Sequence, residues 1–175
     1  MQRLMLGTSH WLALLCRGLG GLCLVLMLAI TVADVVTRYA QRLSDGALSL
    51  QVFGSVEMVS YLMLFALLAT MAAAVEKSQV VVEAFSHRLP ASIAARLHGG
   101  YLLGFALLGA VLASGLVGAA HSATEYGEVT QDLRLPLGPI YLTAAVLSAV
   151  MGLRSLLEGL LAMITGRGGE VSHGD

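Results

Sequence analysis

The sequence predicts an all-α integral membrane protein: a four-helix bundle with an amphipathic interfacial helix between the second and third spans. Three observations lead there. Hydrophobic residues make up 57% of the 175-residue chain and charged residues only 12%. Four apolar runs, 18–33, 58–75, 98–120 and 135–153, fill most of it. The loops between them are short and polar. A hydrocarbon core about 30 Å thick needs roughly 20 apolar residues in a helix, and each run reaches that length with its flanks. The expected spans are approximately 17–38, 56–76, 98–120 and 135–155, within one membrane domain over 1–166 and a short tail over 167–175. No stretch is long enough for a soluble catalytic domain.

Residues 1–17 hold Leu4, Leu6, Trp11, Leu12, Leu14 and Leu15 among few charges. Trp11 suits the aromatic belt at a membrane interface, so this stretch reads as an interfacial lead-in, or else as a frayed terminus. Arg3 and Arg17 before an apolar run resemble a signal peptide, but no small-x-small site precedes a polar region. The run is read as a retained span.

The first span closes in Asp34-Val35-Val36-Thr37-Arg38-Tyr39. Asp34 and Arg38 are four apart with the acid first, the favourable order for an ion pair on one helical face. Ionisable groups near lipid are paired or functional. The pair either closes the helix at the lipid surface, with Tyr39 as anchor, or meets a partner subunit. Glu57 opens the second span. A carboxylate in the first turn complements the helix dipole; the alternative is a hydrogen bond to a neighbouring helix.

The second loop, 76–97, is the most patterned. Val82, Phe85, Leu89, Ile93 and Leu97 recur every three or four residues, with Glu83, His87, Arg88 and Arg96 between them. That spacing predicts an amphipathic helix in the interface, divided at Pro90. Arg88 and Arg96 would anchor it to lipid headgroups. The third loop is acidic, with Glu125, Glu128 and Asp132, a candidate outer contact. Small residues spaced by four mark three spans: Ala66, Thr70 and Ala74; Ala106, Ala110, Ser114 and Gly118; Ala144, Ser148 and Gly152. Gly100 and Gly104 form a GxxxG. Such ladders let membrane helices approach closely. The fourth span opens with Leu135-Pro136-Leu137-Gly138-Pro139, where proline at the first turn removes no helical hydrogen bond.

The two tails and the second loop hold seven lysines and arginines, against three in the other loops. Basic residues mark cytoplasmic loops, so both termini are expected in the cytoplasm. Net charge is −1, which implies no nucleic-acid surface. Cys16 and Cys23 would lie ~10 Å apart along a helix, too far for a disulfide. The apolar runs contain no Asp, Glu, Lys, Arg, Asn or Gln, so no ion site or proton relay crosses the bilayer. His98 and His121 fall ~34 Å apart, too far to clamp one haem. No phosphate loop, nucleophile motif or metal spacing is present. The residues describe a membrane subunit without its own chemistry, no enzyme and no cofactor. A stand-alone exporter and a small electron-transfer subunit are the alternatives.

Ordered pieces of this chain resemble the small membrane subunit of tripartite ATP-independent periplasmic (TRAP) transporters, the DctQ-like family. Asp34 to Tyr39 is similar to that family's Asp-x-x-x-Arg-Tyr. Gly54-Ser55-Val56-Glu57 is similar to its Gly-x-x-Glu opening of the second span. Val80-Val81-Val82-Glu83 followed by His87-Arg88-Leu89-Pro90 resembles its Val-Asp and Leu-Pro stretch. Leu135-Pro136, Tyr141 and Arg154 resemble the Leu-Pro start and arginine exit of its last span. The resemblance covers roughly residues 12–160. Ser78 and Gln79 stand where the family has Gly and His, Glu83 stands for Asp, and the tryptophans that flank two spans in the family are missing here. The resemblance implies a multi-pass protein of a bacterial inner membrane. Its partners would be a large multi-span subunit carrying the substrate and sodium sites, an extracytoplasmic substrate-binding protein, and the lipid bilayer. The small subunit would be a scaffold for organic-acid uptake. Asp34, Arg38, Tyr39, Glu57, Glu83, Arg88, Arg96, Pro136 and Arg154 are the expected structural or partner contacts.

Overall fold

A computed structural model of the chain describes residues 2–44, 52–75 and 91–165. Four helices account for nearly all of them: α1 (Gln2–Leu43), α2 (Ser55–Ala74), α3 (Ala91–Glu125) and α4 (Leu137–Thr165). Each contains a stretch long and apolar enough to cross a membrane. Within hydrocarbon every backbone N–H and C=O must be satisfied inside the segment, and a helix does this.

The helices form two antiparallel hairpins. α1 packs along α2, and α3 packs along α4. α2 and α4 then meet, and α1 touches α4 lightly. Among the described residues α3 has no close backbone contact with α1 or α2. The lateral order is therefore α1–α2–α4–α3. Met71, Ala74 and Val75 face Leu102 and Phe105 across a cleft of about 200 Å³.

Small side chains set these contacts. Ala66, Ala69, Ala72 and Ala73 of α2 are buried, as are Ala144, Ala145, Ser148 and Gly152 of α4. Lipid tails are as apolar as leucine, so association depends on close packing rather than on escape from water. The α3–α4 seam shows how close that packing is. A Cβ on Gly109 would fall 2.6 Å from the Gly152 Cα, and one on Gly99 would fall 2.6 Å from Met163 Cγ. As α3 rises from Gly99 to Thr124, its contacts on α4 fall from Gly159 to Gly138, which is the antiparallel register. Gly20 meets Thr70 and Ala66 in the α1–α2 seam. The Gly100 and Gly104 pair points away from the other helices.

One expectation is corrected, and a second falls mostly outside the described residues. Residues 2–17 are no separate interfacial piece. They continue α1 without a break, a 42-residue helix about 63 Å long. Ser9, Ala13 and Cys16 are buried; Ser9 meets Arg154 and Glu158 on the stretch of α4 beyond its apolar run, and Cys16 clusters with Ala72, Ala73 and Val75 at the end of α2. The interfacial helix over 76–97 lies mostly outside the described residues. Its last part, 91–97, forms the first two turns of α3, which starts directly after Pro90; proline is well placed just before a helix and poorly placed inside one.

Candidate functional site

Polar side chains gather near the two ends of the helices, where they join one hairpin to the other. Glu57 and the loop between α3 and α4 form the first cluster. α3 ends in a Schellman motif: Glu128 N donates to Ala123 O at 2.8 Å and Gly127 N to Thr124 O at 3.3 Å, with Gly127 at φ 64°. A left-handed residue is what this motif requires, and glycine takes it without a Cβ penalty. The chain then folds back. Val129 bridges Pro136, Thr130 N donates to Leu135 O at 2.9 Å, and Leu135 N donates to Thr130 Oγ1 at 3.0 Å.

Glu57 holds this loop from the other hairpin. Its Oε2 accepts the backbone N–H of Leu133 at 2.8 Å and of Asp132 at 3.2 Å. Gly54, at φ 69° before α2, makes room for the Leu133 side chain, whose Cγ lies 2.6 Å from where a Cβ would stand. Glu57 thus sits in the first turn of its helix, as expected, and its partners are loop amides. Beside it lies an open hollow of about 480 Å³ that Ser60, Tyr61, Gln131, Asp132 and Tyr141 help to line.

Arg154 centres the second cluster. Ala72, which it contacts, lies ~22 Å along α2 from Glu57. Arg154 is fully buried. Nη1 donates to the Ala72 carbonyl, and Nε and Nη2 each reach Ser9 Oγ at 3.3 Å. Ser9 in turn donates to Glu158 Oε1 at 2.8 Å. One guanidinium therefore touches α1 and α2 from α4. A planar fork of five donors suits such a junction. Arg154, expected at the exit of the last span, has its side chain turned into the protein, and α4 runs eleven residues past it to Thr165.

The other expected residues are dispersed. Arg38 Nη2 donates to Asp34 Oδ2 at 2.9 Å, a pair within α1 of the kind that contributes about 0.3–0.5 kcal/mol. Tyr39 and Arg96 are exposed on their helices, and Pro136 is an exposed bridge residue. Glu83 and Arg88 lie outside the described residues. Ser9, Glu158 and Leu133 were not anticipated. Ser9 could have been found, since Ser9, Ala13, Cys16, Gly20 and Cys23 repeat at alternating spacings of four and three, the mark of a packed helix face.

Hydroxyls within the spans serve their own helices. Thr31, Ser60, Thr70, Ser114, Thr143 and Ser148 each donate to a carbonyl three or four residues back. Among the described residues no group of three or more His, Cys, Asp or Glu could hold a metal ion. The arrangement can join helices and present surfaces.

No curated protein and no solved structure matches the chain. The family described as "Tripartite ATP-independent periplasmic transporters, DctQ component" matches residues 27–165. That stretch runs from the middle of α1 to the end of α4 and contains Asp34, Arg38, Glu57, the pinned loop and Arg154. The chain belongs to the DctQ family, the small membrane component of TRAP transporters.

Proposed function

We propose that this chain is the non-catalytic permease subunit of a sodium-coupled, binding-protein-dependent secondary transporter. It holds the large transport subunit in place during uptake of an organic acid. The supporting observation is how its polar groups are used. The apolar stretches carry no charged or amide side chain, span hydroxyls bond their own helices, and Arg154 and Glu57 join hairpins. Transporters that carry their own cargo place polar groups and broken helices at the midplane. Here the substrate and ion sites belong to the large subunit.

In this reading the protein is a multi-pass inner-membrane protein with both termini in the cytoplasm. The Arg154 cluster then faces inward, and the Glu57-pinned loop, with Glu125, Glu128 and Asp132, faces the periplasm. That rigid acidic loop is the surface offered to the substrate-binding protein.

The experiment is purification of the native complex through a tag on this chain, followed by reconstitution. The expected result is co-purification of a multi-span TRAP subunit. Sodium-driven uptake of a labelled organic acid should then require both membrane subunits and the binding protein. Transport by this chain alone, or undiminished uptake without it, would refute the proposal.

A further inference from the structure

The hollow beside Glu57 is built from both hairpins. α2 supplies Glu57, Ser60 and Tyr61, α4 supplies Tyr141, and the pinned loop supplies Gln131 and Asp132. Tyrosine at a membrane interface ordinarily turns its hydroxyl toward lipid headgroups; here two tyrosines from different hairpins converge on one space. Both are half-buried, and among the described residues neither hydroxyl makes a hydrogen bond. The lining holds two carboxylates and no lysine or arginine. Glu57 is engaged by loop amides but keeps its charge, and the Asp132 side chain is exposed. Ser60 donates its proton to the Val56 carbonyl, so toward the hollow it can only accept. The space therefore offers acceptors and negative charge to a cation, and two phenol donors to an anion attached beside that cation.

An apolar track leads away from this hollow. Ser60, Leu64, Leu67, Met71 and Ala74 repeat at alternating spacings of four and three, which places them along one face of α2. Ser60 lines the hollow, and Met71 and Ala74 line the cleft against Leu102 and Phe105 of α3, so one face joins the two. Leu64, Leu67 and Met71 are 37–50% exposed, and α3 makes no close backbone contact with α2 that would cover them. From Tyr61 to Met71 the track runs ~15 Å at helical rise. One leaflet's share of a hydrocarbon core about 30 Å thick is the same length. A charged and hydroxylated pocket at one end, an apolar track one leaflet deep, and an apolar cleft of about 200 Å³ at the far end match the two parts of a lipid, headgroup and chain.

We propose that the hollow, the track and the cleft together bind one phospholipid with a primary ammonium headgroup, of the phosphatidylethanolamine type. Its N–H groups donate to the Asp132 carboxylate and lie beside the tyrosine rings, which attract cations. The Tyr61 and Tyr141 hydroxyls donate to its phosphate. One acyl chain follows α2 to Met71 and ends between Ala74 and Phe105. The negative wall disfavours a phosphatidylglycerol, whose phosphate has no cation to offset it. A phosphatidylcholine keeps the charge but has no N–H to give Asp132. Seated there, the lipid adds a third tie between the hairpins, on the same rim as the Glu57 contact.

Native mass spectrometry of the full chain in mild detergent tests this, with dioleoyl phosphatidylethanolamine, phosphatidylcholine and phosphatidylglycerol offered at equal concentration. One phosphatidylethanolamine should be retained at least fivefold more than phosphatidylglycerol. The double variant Tyr61→Phe, Tyr141→Phe should lose at least four-fifths of that retention, and Asp132→Asn should erase the preference over phosphatidylcholine. Tyr39→Phe, at an exposed tyrosine of α1, should leave both unchanged. A second measurement uses the unaltered chain and a phosphatidylethanolamine with a diazirine near the end of one chain. It should label peptides bearing Met71, Leu102 or Phe105 at least fivefold more than the exposed α1 stretch 22–36. Equal retention of the three lipids, unchanged retention in the tyrosine double variant, or equal labelling of α1 would reduce the lipid to ordinary solvent and overturn the inference. Release of the bound lipid when the other transporter components are added would also overturn it, because the hollow would then belong to a partner's side chain.

Discussion

Adding a single methyl group to α3 should have opposite effects at two positions five residues apart. At Gly109 a Cβ would stand 2.6 Å from the Gly152 Cα, 2.7 Å from its N and 2.9 Å from the Ser148 carbonyl oxygen. These are backbone atoms of a helix and cannot rotate away. Carbon atoms rest at about 3.5–4.0 Å, so α3 and α4 must separate by about 1 Å. A gap of that size forfeits roughly a quarter to a half of each atom pair's attraction along the seam. Gly109→Ala should cost about 2–3 kcal/mol, at the upper end of overpacking changes. At Gly104 nothing lies within 4 Å of the new methyl. Gly104→Ala should be neutral or stabilise by up to about 1 kcal/mol through the unfolded chain. Gly152→Ala falls between, because its nearest contact would be the Ala106 carbonyl oxygen at 3.2 Å. The assay is the midpoint of heat-induced loss of the monodisperse peak in mild detergent. At about 2–4 °C per kcal/mol for a chain of this size, Gly109→Ala should fall by about 5–10 °C and Gly104→Ala should not fall. Equal midpoints, or the reverse order, would show that the seam is not drawn together at Gly109.

Arg154→Leu should lower stability by at least about 2 kcal/mol in the same assay, because it strands the Ala72 carbonyl and leaves Glu158 with a weakened network. Ser9→Ala should cost about 1 kcal/mol; no change in either variant would remove the Arg154 cluster as a joint. Glu57→Gln should speed hydrogen–deuterium exchange at the Asp132 and Leu133 amides while the spans stay protected, and unchanged exchange there would show that the carboxylate does not pin the loop. Gly127→Ala should cost about 1–2 kcal/mol from the backbone alone, since its φ is positive and no atom lies within 4 Å. A neutral result would mean that α3 does not end in the left-handed turn.

The four spans were legible because lipid solvent imposes a long apolar run on each one, and no other element shows that pattern at this length. The Asp34–Arg38 pair was legible because both residues lie within one helical turn. Arg154 was named only through the family resemblance; the groups it bonds were not legible, because they include a serine 145 residues away and a backbone carbonyl, and neither leaves a compositional trace near it. Glu57 was half legible. Its place in the first turn follows from local sequence, but it binds amides some 75 residues on, and an amide is the same at every residue. The glycine ladders marked faces without telling which face turns inward. The GxxxG of Gly100 and Gly104 faces out, whereas Gly109 and Gly152, from different helices, make the tight crossing. The burial of Ser9 reflects contact with Arg154 and Glu158 near the far end of the chain, which no local window contains.

The lateral order α1–α2–α4–α3 has a mechanical consequence. A closed bundle turns a large share of every helix toward a common axis. A row gives each end helix a single main neighbour, so among the described residues α1 and α3 keep much of their circumference free. The described helices therefore stand as a row, broad in the membrane plane and stiffened where Glu57 and Arg154 tie its two halves at opposite rims. Such a row widens the footprint of whatever it stands beside. A broad footprint resists being dragged through viscous lipid, which suits the scaffold role proposed above.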